Sequence, residues 1–147
     1  MQEMTPKRRY NEIIELLQSG ADGEAEQLCR QAVDDNGDVN FIALLGTILA
    51  RRDDLQEAES HLRRAVQIAP AYPKANEELG SVLLNRGKPL EAIPFLRKAT
   101  ELSPSSAECF FKLGGALKLA GDNDGAAAAF AQSQRLSPSK AKLEEAS

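Results

Sequence analysis

Tryptophan is absent, histidine occurs once, cysteine twice, and aromatic residues make up only 5% of the 147-residue chain. So few imidazoles and thiols leave little from which to build a zinc site or a nucleophile with its base. Cys29 and Cys109 stand far apart with no other cysteine, so they read as reduced intracellular thiols rather than a disulfide framework, and the cytoplasm is the expected location. Long apolar runs are also missing. The run from Phe41 to Ala50 stops at Arg51, Arg52, Asp53 and Asp54, far short of the roughly 20 residues a membrane span needs, and reads as a buried helix. The opening MQEMTPKRRYNE develops no apolar export segment. Finally, 18 Lys and Arg stand against 22 Asp and Glu, for a net charge of -4. That balance argues against nucleic-acid binding, which draws on clustered cations to displace phosphate counterions. The short run Lys7, Arg8, Arg9 reads as a solvated helix face.

What is present favours helices. The chain is 42% hydrophobic and 27% charged, near the globular average, with 22 Ala and 19 Leu, both strong helix formers. Its length suits a single domain over 1–147. Self-comparison then shows a period of 34 residues without insertion. Leu45-Gly46 returns as Leu79-Gly80 and Leu113-Gly114, Ala58 as Ala92 and Ala126, and Pro70 as Pro104 and Pro138. A fixed period of this length signals a stacked array.

Within one unit, Ile42, Leu45 and Leu49, then Leu55, Ala58, Leu62 and Ala65, fall at spacings of three, four and seven. This predicts two amphipathic helices with one apolar stripe each. Asp53-Asp54, Gly87-Lys88-Pro89 and Gly121-Asp122 break the chain between first and second helices, and the periodic prolines break it between units. Pro94 lies deeper in its helix, where it forfeits the hydrogen bond to the Leu90 carbonyl, and a slight kink is expected. Gly46, Gly80 and Gly114 fall mid-helix, where glycine is unfavourable by about 1 kcal/mol against alanine. That position makes sense if a neighbouring helix approaches closely there, with Ala58, Ala92 and Ala126 serving the same end on the second helix.

This pattern resembles the tetratricopeptide repeat family. Ile42, Leu45, Gly46, Leu49, Ala58, Leu62, Ala65 and Pro70 fill its signature in one unit. Asn76, Leu79, Gly80, Leu83, Gly87, Ala92, Leu96, Ala99 and Pro104 fill it in the next, and Phe110, Leu113, Gly114, Leu117, Gly121, Ala126, Phe130 and Pro138 in the last. Asn76 replaces the usual aromatic, Asp53 the usual inter-helix glycine, and Ser133 the usual alanine. Residues 39–72, 73–106 and 107–140 are thus expected to be full repeats. Residues 1–38 form a degenerate capping repeat in which Gly20, Ala25, Cys29 and Ala32 match the second half, followed by a turn at Asn36-Gly37. Ile13, Ile14, Leu16 and Leu17 supply its first-helix apolar face. Residues 141–147 are left for a truncated capping helix.

The resemblance implies an all-α fold, a right-handed superhelical solenoid of antiparallel helix pairs, whose first helices line a concave groove for a peptide or helix of a partner protein. The family's groove positions fall on Lys7, Tyr10 and Ile14; on Asn40, Ala43, Thr47 and Arg51; on Lys74, Glu77, Ser81 and Asn85; and on Glu108, Phe111, Gly115 and Lys118. Phe111 and Tyr10 lie off the apolar stripe and are the strongest anchors. Asn40 and Asn85 offer amides that both donate and accept. The subset of the family that grips chaperone carboxylates is a poor match, because its starting Lys and Asn are replaced by Ala43 and Thr47, or by Tyr10 and Ile14.

No catalytic, metal or cofactor site is expected. His61 reads as a solvated surface histidine with no evident partner, and Cys29 as an inert core thiol. The segments around Gly37 and Gly125 fail as calcium loops, since the first ligand would be Ala32 or Ala120 and the closing Glu would be Ala43 or Ala131. Gly80 to Lys88 has the wrong spacing for a phosphate loop. Two readings of function remain. One is a non-enzymatic adaptor. The other is the N-terminal module of a larger bacterial enzyme, because Ala25 to Arg30 looks similar to the openings of repeat-containing sulfotransferases and glycosyltransferases. The short remainder Ser139 to Ser147 leaves the Ala126 to Ala131 surface partly uncovered, which suggests either a longer natural chain or two copies packed end to end.

Overall fold

The structure, a computed structural model, describes residues 4–137, and among these the chain forms eight α-helices. It divides into two compact units at the Pro70–Ala71 junction. The first holds α1 (Pro6–Gln18), α2 (Asp22–Asn36), α3 (Val39–Arg51) and α4 (Leu55–Ile68). The second holds α5 (Pro73–Asn85), α6 (Pro89–Leu102), α7 (Ala107–Leu119) and α8 (Asn123–Leu136). Pro138 and the expected capping segment 141–147 lie outside the described residues.

Local chemistry explains where these helices start and turn. Pro6, Pro73 and Pro89 open their helices at the first position, where the missing N–H is no loss. Thr5, Asp38, Ser106 and Asp122 cap with side-chain oxygens that accept from Arg8, Asn40, Cys109 and Gly125 N–H groups at 3.2, 2.8, 3.3 and 2.9 Å. Between the helices of each pair one residue takes positive φ: Gly20, Asp53, Gly87 and Gly121, at 83, 63, 74 and 89°. Three are glycines, which adopt this conformation freely; Asp53 adopts it with a Cβ in place. The turn after α2 is likewise closed by Gly37 at φ 63°. Helix α6 continues across Pro94 without interruption.

In the first unit α1 packs on α2, α2 on α3, and α3 on α4. Ile13 and Leu17 of α1 meet a second helix whose core positions are small: Ala25, Cys29 and Ala32, all fully buried. Ile14 and Leu16 are only half-buried. Helix α3 departs from the single stripe expected of it. Phe41, Ala43, Leu44 and Ile48 are buried alongside Ile42, Leu45 and Leu49. With α2 on one side and α4 on the other, α3 has two packed faces.

In the second unit α5 packs on α6, α6 on α7, α7 on α8, and α5 also touches α7. Leu79, Leu83, Ala92, Leu96, Ala99 and Ala116 are fully buried, with Leu113, Leu117 and Ala126 nearly so. Two departures from the family pattern find local roles. Asn76 is buried where the neighbouring repeats carry Ile42 and Phe110, and its amide donates to the Tyr72 carbonyl at 2.8 Å. Ser133 donates to the Ala107 carbonyl at 2.8 Å, tying α8 to the start of α7. Of the alanine run in α8, Ala126 and Ala129 are buried while Ala127 and Ala128 remain exposed.

The mid-helix glycines are holes for specific side chains. A Cβ on Gly46 would fall 2.6 Å from Leu62 Cγ, one on Gly80 2.5 Å from Leu96 Cγ, and one on Gly114 2.8 Å from the Phe130 ring. The close approach expected of these positions is therefore made by the large residue of the second helix. The small residues Ala58, Ala92 and Ala126 are buried one turn earlier on that helix.

Candidate functional site

On α3 and α5, the first-helix candidates include two hydroxyls turned back to their own helices. Thr47 donates to the Ala43 carbonyl at 3.2 Å and Ser81 to the Glu77 carbonyl at 3.1 Å, so each keeps only acceptor capacity outward.

In the first unit, Tyr10 of α1 is half-buried and tilts against Phe41 of α3, with ring centroids 6.0 Å apart. Around this pair Pro6, Lys7, Asn11, Asp38 and Asn40 line a cavity of about 350 Å³. The Asn40 side chain is exposed at its edge, whereas Ala43 is buried and adds no surface. Arg51 extends to Asp22 at the start of α2, at 3.3 Å. Arg9, from the basic run, pairs with Asp35 at 2.9 Å.

In the second unit the acidic candidates are largely committed to cations. Glu77 is buried and accepts from the Lys112 ammonium at 2.9 Å, linking α7 to α5. Lys112 also reaches Glu108 at 3.2 Å, and Lys74 reaches Glu78 at 3.2 Å. Burial alone would lower the Lys112 ammonium; its hydrogen bond and attraction to Glu77 outweigh that and hold it above the ordinary lysine value. Lys112 was not among the sequence candidates. Its position, 35 residues after Glu77, is one more than the repeat period, and its spacing of four from Glu108 was a readable signal.

The rest of the α7 face is open. Phe111 is 61% exposed although its ring leans on Phe130 at a centroid distance of 5.5 Å. A Cβ on Gly115 would meet nothing within 4 Å. Asn85 at the end of α5 and Lys118 in the last turn of α7 are both exposed.

A separate charge cluster braces the second helices of the first unit. Arg30 of α2 donates two hydrogen bonds to Glu57 of α4, at 2.7 and 3.0 Å, and a third to Glu26 at 3.1 Å. The hydrogen bond with Glu57 holds the guanidinium above its usual range, and the same bond holds the Glu57 carboxyl below the usual carboxylate range. His61 belongs to this cluster: its Nε2 lies 3.5 Å from Glu57 Oε1, and its side chain is only 22% exposed. The expectation of a solvated histidine without a partner is thus corrected, because one helical turn brings Glu57 beneath it.

Cys29 is fully buried, and its thiol donates to the Phe41 carbonyl at 3.3 Å. Burial pushes it up to about 12, so the thiolate form is scarce at neutral pH. Burial also raises Cys109, and both cysteines are free thiols. Among the described residues no group of three or more His, Cys, Asp or Glu is placed to hold a metal ion. No helix of the described residues is long and apolar enough to cross a membrane.

Antiparallel helix pairs on a 34-residue period, with a glycine hole filled from the second helix, define a helical-repeat protein of the kind that presents surfaces to other proteins. The tetratricopeptide repeat profile matches residues 23–73 and 77–141, and the chain belongs to that family. No curated protein sequence matches it. Among solved structures, MamA from residue 41 to its end, from Desulfovibrio magneticus RS-1, is similar with a TM-score of 0.82 at 22% identity, covering 92% of this chain and 78% of that one. A crystal structure of MamA gives 0.81 at 22% identity, covering 92% and 80%. A point mutant of MamA gives 0.78 at 27% identity, covering 88% and 76%.

Proposed function

We propose that the chain is a non-enzymatic protein-interaction module whose first-helix faces bind a peptide or helix of a partner protein. The family fold supports an interaction role, and the observation that carries the choice of surface is Phe111. A phenyl ring 61% exposed on a first helix is an anchor awaiting cover, and burying such a ring contributes much of an interface's affinity. In the second unit Lys74, Ser81, Asn85, Glu108, Phe111 and Lys118 form the contact surface, with Glu77 acting through Lys112 rather than directly. In the first unit Tyr10 and Asn40 flank the cavity, with Thr47 and Arg51 further along α3. The two free cysteines support a reducing compartment such as the cytoplasm.

Affinity purification from the source cell, comparing wild type with a Phe111→Ala, Asn85→Ala variant, tests this reading. Loss of specific partners is expected while the circular dichroism spectrum is unchanged, since both side chains are exposed. An identical set of partners would refute the assignment of this surface.

A further inference from the structure

The chemistry of the partner segment can be narrowed from the way charge is distributed along α7, on the footing that this face binds a peptide as proposed above. Three features follow one another toward its C-terminal end: the exposed ring of Phe111, the open backbone step at Gly115 and the exposed ammonium of Lys118. At spacings of four and three they share one face of the helix. Lys112, one residue on from Phe111, leans instead to α5, where it meets Glu77.

The ends of this face differ in charge. Beside Phe111, the three carboxylates of Glu77, Glu78 and Glu108 share the two ammoniums of Lys74 and Lys112, so negative charge is in excess there and an incoming carboxylate is repelled. At the other end Lys118 forms no ion pair or hydrogen bond among the described residues. The nearest following acid, Asp122, lies past the turn at Gly121 with its carboxylate capping the Gly125 N–H. Lys118 therefore presents an uncompensated cation at the C-terminal end of this face.

We infer that the second unit recognises an extended acidic segment, with an apolar side chain on Phe111, a small or backbone-only step over Gly115, and an Asp or Glu on Lys118. Seven residues of helix separate Phe111 from Lys118, about 10.5 Å at 1.5 Å per residue. An extended strand covers that length in about three residues. The expected recognition pattern is an apolar residue and an acidic residue about three positions apart, with no acid on the far side of the apolar anchor.

Display of random peptides of about twelve residues against the full chain tests this directly. The most enriched sequence is then synthesised with its acid as Glu, Gln and Lys. Affinities follow from fluorescence anisotropy for wild type, Phe111→Ala and Lys118→Glu. Enriched sequences should show the apolar–acid spacing. Glu→Gln should weaken binding to wild type by about fivefold, in a salt-dependent way. The Lys peptide should bind Lys118→Glu better than it binds wild type. Enrichment without acids, or a Lys118→Glu variant that holds the parent peptide as tightly as wild type, overturns the inference alone provided that Phe111→Ala weakens binding. If no peptide is enriched, or Phe111→Ala binds as wild type does, the groove reading itself falls and takes this inference with it.

Discussion

Replacing Gly80 and Gly115 by alanine, one at a time, should move stability in opposite directions. Both lie within helices, where alanine is favoured over glycine by about 1 kcal/mol from backbone propensity alone. At Gly115 nothing stands in the way of a Cβ, so that full gain should appear. At Gly80 the new carbon would lie 2.5 Å from both Cγ and Cδ2 of Leu96, a side chain with no exposure into which it could swing. Cγ is the branch point rather than a flexible tip, so relief requires the backbones of α5 and α6 to separate. Overpacking of this kind is unfavourable by about 1–3 kcal/mol. We take the upper part of that range, which leaves a net loss of about 1–2 kcal/mol after the propensity gain. Urea unfolding followed by circular dichroism at 222 nm measures both changes, and thermal midpoints should separate by about 4–12 °C between the variants. Adding Leu96→Ala supplies a double-mutant cycle. Leu96→Ala alone should lose about 2–5 kcal/mol, and the pair should lose less than the sum because the alanine methyl then occupies vacated space. If Gly80→Ala stabilises as Gly115→Ala does, the hole-and-knob account of these helix pairs is wrong.

Two further outcomes are open to the same methods. Asp53 holds φ 63° at the turn where the other pairs carry glycine. Asp53→Gly should therefore gain about 0.5–1 kcal/mol, the relief of left-handed strain exceeding glycine's entropic disadvantage; a loss would show that the aspartate makes a compensating contact. Cys29 is raised in the folded state to about 12 against an ordinary value of 9.0. Its contribution is fully present below pH 9 and is lost as pH rises toward 12, because only the unfolded chain can ionise the thiol in that window. Wild type should lose about 1.4 kcal/mol per pH unit there relative to Cys29→Ala. Parallel stability profiles for the two proteins would refute the buried-thiol account.

The helix pairs, the turns and the glycine positions were legible because each leaves a mark at fixed spacing along the chain. The turns at Gly87 and Gly121 and the close approach at Gly46, Gly80 and Gly114 follow from a 34-residue period and glycine's backbone properties. What was not legible depends on which helices touch. The periodicity predicts a single stripe on α3, yet neighbours on two sides bury Phe41 and Ile48 as well. Likewise Arg30 finds Glu57 from 27 residues away, and Lys112 finds Glu77 from 35, distances that no helical period marks. Glu77 and Arg51 fall where the family resemblance puts groove residues, but their side chains are bound by Lys112 and Asp22. Phe111, by contrast, was readable as an aromatic off its stripe, and it remains mostly uncovered.

The glycine hole and the side chain that fills it stand sixteen positions apart in all three pairs, Gly46 with Leu62, Gly80 with Leu96 and Gly114 with Phe130. Both partners therefore travel together whenever a stretch of one repeat length is duplicated, and the copy arrives with its internal fit already solved. A hole of bare backbone also accepts a branched aliphatic or a flat ring without alteration. The fit within a pair thus constrains the inner positions, leaving outward positions such as Thr47, Ser81 and Gly115 to diverge under whatever each face must hold.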